Sequence, residues 1–530
     1  MESNKNIKPT FYSIKRQIKK QRNNKMEKLT INELFSGIGA QASALEKLGI
    51  PFEIRHTSDI DHNAVLAYAS IHCGLTEELI NTYTEYPTRE EMARQLTEIN
   101  LGYDFQKNKP YNWYRFVNSK SKELEKYWLA NKLSRNLGDI SKIDNLEYAD
   151  FWTISFCCQD ISNAGKMKGF KLGSNTRSSL LWDNIKLLKQ AVDSNNAPKY
   201  VMFENVKNLV SKKFMSDFND LLDVLNELGY NTYWKVLNAK DYGVPQNRER
   251  VFAISIRKDI DDGKFEFPQP FDNGVRLKDV LEDNVDEKYY LTDTMIRGFI
   301  KHNENHTAKG TGFIWKPRDV NGTASTLRAN SALAPTDNTI LETNRCIQVG
   351  SLNYYNYDKM NRVYSKGGCS PALEIMQGGN RQPKIAVPIA YVKEATKKGY
   401  VEPNELSHSE WKQQMHKRFI EDSNSEVSGV FTNQSQSFGY RPPMKGYSKT
   451  LKANVHDAGV VESFRVRKLT PKECYRLMGF TDEQFDRSQT FSSDSQLYKQ
   501  AGNSIVVDVL YYIFGKLFEV DTETGKETKC

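Results

Sequence analysis

The segment from Leu29 to Phe35 reads as a short buried strand that ends in a glycine turn. Residues 41–48 then repeat apolar positions at helical spacing, and a second strand is expected from Phe52 to Ser58, ending at Asp59 and Asp61. Strand, glycine turn, helix and a strand with a terminal acid open a doubly wound nucleotide-binding sheet. Strand-like runs return at 150–157, 200–204 and 251–256, separated by amphipathic stretches from Leu180 to Leu188 and Phe214 to Leu228. That alternation predicts an α/β fold around a mostly parallel, doubly wound sheet. Residues 76–135, charged and aromatic with a helical lean, interrupt it as an insertion.

After about residue 270 the texture changes. The stretch 300–460 is rich in Gly, Asn, Ser and Thr and poor in helical periodicity, which predicts short strands and loops. It carries an internal echo, Ser325-Thr326-Leu327-Arg328-Ala329-Asn330 and Lys449-Thr450-Leu451-Lys452-Ala453-Asn454, with a weaker copy at Ser370-Pro371-Ala372-Leu373. The spacing is too irregular for a solenoid. From Arg467 the α/β texture resumes and ends in a helical stretch from Ile505 to Phe518. The expected organisation is a basic extension (1–28), a catalytic and cofactor domain (29–270), a smaller irregular β-rich domain (275–462), late motifs returning to the first domain (463–520) and a tail (521–530).

Composition narrows the class. The net charge of +8 leans toward a polyanionic partner, and part of the excess sits in the first thirty residues, read as a polar tail or a DNA-gripping arm. No run of eighteen apolar residues and no apolar signal region occur, so neither membrane nor export is expected. Seven cysteines without paired spacing argue against a disulfide framework or zinc site and for a reducing cytoplasm. His302 and His306 lie four apart with no cysteine pair beside them, and are read as part of a solvated loop rather than a metal site.

The candidate chemistry lies at strand ends. Gly37-Ile38-Gly39 with Asp59 twenty residues beyond Gly39 fits a permissive dinucleotide fingerprint, which serves a nicotinamide as well as an adenosyl cofactor. Cys157-Cys158-Gln159 follows an apolar strand, so Cys158 is a candidate nucleophile, against the alternative of an inert buried thiol. Glu204 ends a further apolar run, and Arg248 and Arg250 immediately precede another. Thiol, acid and two cationic donors are thus expected at one edge of the sheet.

These segments, in this order, resemble the cytosine-C5 DNA methyltransferase family. ELFSGIGA is similar to its cofactor glycine loop, TSDID to the ribose acid, and LGDI (137–140) to the adenine turn. SFCCQDIS, TRSSLLW, FENV, QNRERVF, RKLTPKECYRLMGF and QAGNSIVVDVL resemble the later blocks in sequence. A nicotinamide oxidoreductase explains the glycine turn but none of these. Two positions depart from the family pattern: Glu33 stands where aspartate is usual, and Cys157 replaces the proline before the nucleophile, which frees φ there.

The resemblance implies a DNA (cytosine-5-)-methyltransferase of the S-adenosylmethionine-dependent α/β type, acting on double-stranded DNA as a cytoplasmic monomer. A cognate restriction endonuclease would be a genetic rather than physical partner. The alternatives are a transfer-RNA cytosine-C5 methyltransferase and a catalytically impaired DNA-binding relative. Cys158, Glu204, Arg248 and Arg250 would be catalytic, with Arg248 bracing the nucleophile loop. Phe35, Gly37, Ile38, Gly39, Asp59, Ile60, Asp139, Ile140, Leu180, Asn503 and Ser504 would hold S-adenosyl-L-methionine. Gln159, Ser162, Thr450 and Leu451 would contact DNA.

Overall fold

The computed structural model describes residues 28–104, 107, 109–155, 161, 180–310, 312–329, 333–343, 348–351, 362–365, 384–386, 429–432, 458–461 and 464–522. Strand β1 (Leu29–Leu34) leads through the turn Phe35–Gly39 into α1 (Ala40–Leu48), and β2 (Phe52–Ser58) follows. Small residues on α1, Ala40, Ala42, Ser43 and Ala44, are buried and let the helix lie close on the sheet. Helix α2 (His62–His72) starts at Asp61, whose carboxylate accepts the Asn63 amide at 3.0 Å.

The insertion forms α3 (Glu77–Thr82), α4 (Arg89–Glu98) and α5 (Glu123–Leu133), with the short 3-10 turn Trp113–Phe116 between the last two. It has its own core, in which Trp113, Leu124 and Leu129 are fully buried beside Met92 and Leu96.

The sheet continues with β3 (Phe151–Ile154), α6 (Leu181–Asp193), β4 (Tyr200–Val206), α7 (Met215–Glu227), β5 (Tyr230–Asn238), the short β6 (Gln246–Asn247) and β7 (Glu249–Arg257). Six strands join in the order β2-β1-β3-β4-β7-β5. β1, β2, β3 and β4 run parallel, whereas β7 pairs antiparallel with both β4 and β5. The mostly parallel doubly wound sheet is therefore present. Strand β5 was not expected from the sequence, because its half-exposed aromatic and polar residues make no apolar run.

The chain divides into two compact units: the described parts of Met1–Val285, Arg318–Asn338 and Leu469–Cys530, and those of Asp286–Pro317 and Thr339–Lys468. In the second unit, α8 (Asp293–Lys309) is followed by β9 (Thr339–Thr343), β10 (Gln348–Ser351), β11 (Arg362–Ser365), β12 (Lys384–Ala386), β13 (Gly429–Thr432), β14 (Ala458–Val461) and β15 (Phe464–Lys468). β9 pairs with β15, β10 and β12 flank β11, and β13 pairs with β14. His302 and His306 sit on α8, not in a loop, with ring centroids 4.2 Å apart. Their helix escapes a periodicity reading because none of its residues of described burial is buried.

The late blocks form α9 (Pro471–Leu477), α10 (Asp482–Gln489), α11 (Asp494–Asn503) and α12 (Val507–Leu517). Thr470 and Glu473 close a capping box on α9, and Phe514 of α12 meets Phe151 edge-on at 5.3 Å, joining the late segment to the sheet.

The stretch 318–338, expected inside the β-rich domain, belongs to the first unit. Its strand β8 (Ala324–Ser325) pairs parallel with β6, and Thr326 donates to the Asn247 carbonyl at 2.7 Å. The first echo copy is thus a support for the arginine motif; the copies at 370–373 and 449–454 lie outside the described residues.

Candidate active site

The glycine turn begins at Phe35, which adopts a left-handed φ of 61° and donates its amide to the Ser58 carbonyl at 2.7 Å. Gly39 has φ 79°, and a Cβ there would lie 2.4 Å from the His72 ring and 2.8 Å from Tyr68, so only glycine fits above that cluster. Beneath the turn, Glu33 is fully buried; it accepts the Ala42 amide at 3.0 Å and the Tyr68 hydroxyl at 2.6 Å, and burial pushes its carboxyl up. The longer acid at this position is therefore accommodated by two donors. Ile38 is 2% exposed, whereas a Cβ on Gly37 would meet nothing within 4 Å, leaving open space over that backbone.

Asp59 faces this loop. Its carboxylate accepts the Gly37 amide at 2.9 Å and the Asp61 amide at 2.8 Å. Burial, then the Asp61 charge, push it up to about 6, against the opposing pull of those amides and of Lys499. Asn136 holds its backbone from both sides, accepting the Asp59 amide at 2.8 Å and donating to its carbonyl at 3.0 Å. Sequence reasoning passed over Asn136; its one signal is its place just before the turn at 137–140. In that turn Ser58 donates to the Gly138 carbonyl at 2.7 Å, and Asp139 accepts the Ser141 amide at 3.0 Å and the Asn100 side chain at 2.8 Å. Ile140 is buried beside it, Ile60 is half-buried after Asp59, and Leu180 is half-buried at the start of α6.

At the other strand ends, Arg250 and Glu204 meet, with Arg250 Nε 3.1 Å from Glu204 Oε1. The antiparallel register explains the pair. Arg250 lies opposite Val206, which shares a face of β4 with Glu204, so the two side chains are diagonal neighbours. Both are largely withdrawn from solvent, at 16% and 11% side-chain exposure. Burial pushes the Glu204 carboxyl up, while Arg250 and then Arg248 pull it down. Ser155, the last described residue before the cysteine loop, donates to the Glu204 carbonyl at 3.2 Å and accepts Asn184 at 3.2 Å. Cys158, Gln159 and Ser162 lie outside the described residues, as do Thr450 and Leu451.

Arg248 is 4% exposed and donates to the carbonyls of Leu327 (3.2 Å), Gly502 (3.1 Å) and Ser504 (2.8 Å). Gly502 permits this closeness, since a Cβ there would stand 2.4 Å from the Arg328 backbone. Ser504 is buried by the contact and Asn503 is exposed. Gln246, fully buried and not among the expected site residues, ties the same parts together. It donates to the Leu477 carbonyl at 2.8 Å and accepts the Leu327 amide at 3.1 Å. Among the described residues Arg248 thus fastens the late segment and the 324–328 strand to the sheet. Arg248→Met strands three buried carbonyls and is expected to lower stability by about 3 kcal/mol or more, read by urea unfolding. An unchanged unfolding midpoint and slope would contradict that role.

An acid at the end of β2, a glycine turn after β1 and a buried Glu–Arg pair between β4 and β7 lie at the edge where open α/β sheets place their ligand sites. Among known proteins, the profile of the C-5 cytosine-specific DNA methylases matches residues 100–519. A type II methyltransferase of Lactococcus lactis subsp. cremoris is 32% identical over 498 residues, 93% of this chain and 99% of the relative. An orphan methyltransferase of Bacillus phage SPR is 29% identical over 542 residues, 95% and 100% respectively. The crystal structure of the S. pombe Dnmt2 methyltransferase aligns at TM-score 0.44 and 16% identity, over 93% of this chain and 99% of that one. The chain belongs to the C-5 cytosine-specific DNA methylase family and is a DNA (cytosine-5-)-methyltransferase. No helix among the described residues is long and apolar enough to cross a membrane.

Proposed function

We propose that this chain methylates C5 of cytosine in duplex DNA through a covalent adduct with Cys158. The observation that carries the reading is the buried Glu204–Arg250 pair, tethered through Ser155 to the start of the cysteine loop. Three residues of chain reach at most about 11 Å, which bounds the distance from Ser155 to Cys158.

Cytosine C5 is a weak nucleophile. The Cys158 thiolate adds to C6, and the electron pair moves through the ring toward N3, where the Glu204 carboxyl donates its proton. Arg250 holds the carboxyl in place and offers N–H groups to the exocyclic C2 oxygen of the base. C5 is then enamine-like. After transfer, a base takes the C5 proton, the Cys158 sulfur leaves C6 and the N3 proton returns to Glu204, which restores the aromatic ring. A stacked base cannot enter such a pocket, so the cytosine must be flipped out.

The glycine turn fits S-adenosylmethionine: open backbone at Gly37 lies beside an Asp59 carboxylate able to accept ribose hydroxyls. Phe35, Ile38, Gly39 and Ile60 would complete that side, Asp139, Ile140 and Leu180 the adenine side, and Asn503 with Ser504 the closing wall. Bound there, the cofactor supplies an electrophilic methyl carbon. Unit two, around the expected 275–462 region, is assigned to target recognition with Thr450 and Leu451. Gln159 and Ser162 are assigned to the flipped nucleotide. The enzyme is read as a cytoplasmic monomer, with any restriction endonuclease as a genetic partner.

The test is incubation with tritiated S-adenosylmethionine and either mixed-sequence duplex DNA or transfer RNA. Label is expected in DNA at cytosine C5, located by bisulfite sequencing. Label confined to transfer RNA would move the substrate, and silence on both would leave a binding protein.

A further inference from the structure

Beyond Asn100 and Ile99, which hold Asp139, the insertion at 76–135 supplies no group to the chemistry above, yet its charges are sorted. From 76 to 104 there are seven acids and two arginines, whereas 105 to 122 carry five cations and no acid. Lys107, Lys109, Arg115, Lys120 and Lys122 are all exposed. Lys107 is 3.2 Å from Asp104, but Lys109, Arg115, Lys120 and Lys122 make no ion pair among the described residues. A solvated scaffold face would be expected to mix its signs, as α4 does with its Arg94–Glu91 and Arg94–Glu98 pairs.

The described part of the segment is also pinned. Backbone bonds pair Asp104 with Lys109 (2.9 and 3.2 Å), and Arg89 donates to the Phe116 and Ser121 carbonyls at 2.9 Å. Trp113, fully buried, anchors the middle by donating to the Leu101 carbonyl at 2.9 Å. The Arg115 guanidinium lies over the rings of Tyr111 and Phe116, 4.7 and 4.5 Å from their centroids, and donates to the Tyr111 hydroxyl. A guanidinium so stacked keeps its remaining N–H edge outward, the arrangement that grips a phosphate. Tyr114, 51% exposed, stands beside it.

Placement selects the partner. Gly102 donates to the Ile60 carbonyl at 2.6 Å and Asp139 to the Ile99 carbonyl at 2.9 Å. These bonds fix the insertion at the carboxyl end of β2, the same edge of the sheet that carries Asp59 and Glu204. β2 lies three strand spacings from β4, about 14 Å, which is roughly the length of four base pairs. Resting on the DNA-methylating reading, we propose that Lys109, Arg115, Lys120 and Lys122 form a phosphate-gripping ledge for duplex DNA flanking the target. It carries affinity but no sequence information.

The test compares wild type with Lys109→Gln/Arg115→Gln/Lys120→Gln/Lys122→Gln, and with a second variant that keeps Arg115 and its ring contacts. Binding is measured across a salt series on a short duplex, about four base pairs either side of the target, and on one about fifteen either side. On the long duplex the four-site variant is expected to bind at least tenfold more weakly near 0.15 M salt. Its salt slope should be shallower by about 3.6 units, at roughly 0.9 for each phosphate no longer neutralised. The three-site variant is expected to fall between, and the short duplex should be bound alike by all. An unchanged long-duplex slope overturns the ledge, and so does an equal weakening on both duplexes, which marks a folding or bulk-charge effect. If wild type neither binds nor methylates either duplex, the underlying reading fails first and visibly so.

Discussion

Cys158→Ala is expected to reduce methyl transfer to duplex DNA by about 10⁴-fold or more, the scale on which removal of a covalent nucleophile acts. No other described thiol can take over. Burial and the nearby Glu33 and Glu46 push Cys73 up to about 12, and Cys474 is buried on α9. Cys157 is the local rival, so the series includes Cys157→Pro, which restores a fixed φ before the nucleophile and is expected to remain active or gain. The discriminating readout is a duplex carrying 5-fluorocytosine. Fluorine leaves no C5 proton to remove, so the adduct survives denaturing electrophoresis. Wild type and Cys157→Pro should give the shifted band and Cys158→Ala none. A band persisting in Cys158→Ala, or one lost on changing Cys157, would transfer the nucleophile's role to position 157.

The edge that carries the glycine turn was legible because each part is local. A short buried strand, a glycine turn and an acid at a strand end sit within about thirty residues, and the structure joins them through Gly37 and Asp59. The Glu204–Arg250 pair was legible only as two residues. Their meeting depends on β7 running against β4, a register that periodicity cannot supply. Arg248 shows the limit most clearly. Its spacing of two from Arg250 suggests a common direction, but the strand breaks between β6 and β7 at this residue, and its side chain turns to Leu327, Gly502 and Ser504. Those partners lie about 80 and 250 positions away in sequence. The echo at 325–330 misled for a related reason: likeness to 449–454 said nothing of Gln246, whose side chain fixes Leu327 in the first unit. Helix α8 left no apolar stripe to read; it is bounded by the Thr292 cap and a left-handed Gly310.

Glu204→Gln keeps the shape of the side chain and an acceptor for Arg250 but removes the proton that N3 needs. It is expected to lower kcat about 10²–10⁴-fold, the range for losing a positioned general acid, with DNA and cofactor affinities within a few-fold of wild type. The pH profile separates proton donation from mere positioning. Burial raises the Glu204 carboxyl above its ordinary 4.5, so it stays protonated to higher pH than a free carboxyl. As a donor it must be protonated, and the wild-type rate therefore falls as pH rises through that raised value. Thiolate formation at Cys158 works in the opposite sense, raising the rate with pH. In Glu204→Gln the falling limb should vanish and the rising one remain. Stability follows the same sign. A raised folded-state value contributes stability that is present below 4.5 and lost as pH climbs through it, so wild type should lose thermal stability relative to Glu204→Gln over that window. If Glu204→Gln turns over like wild type, or keeps the falling limb, the proton reaching N3 comes from another group and Glu204 serves only to hold Arg250.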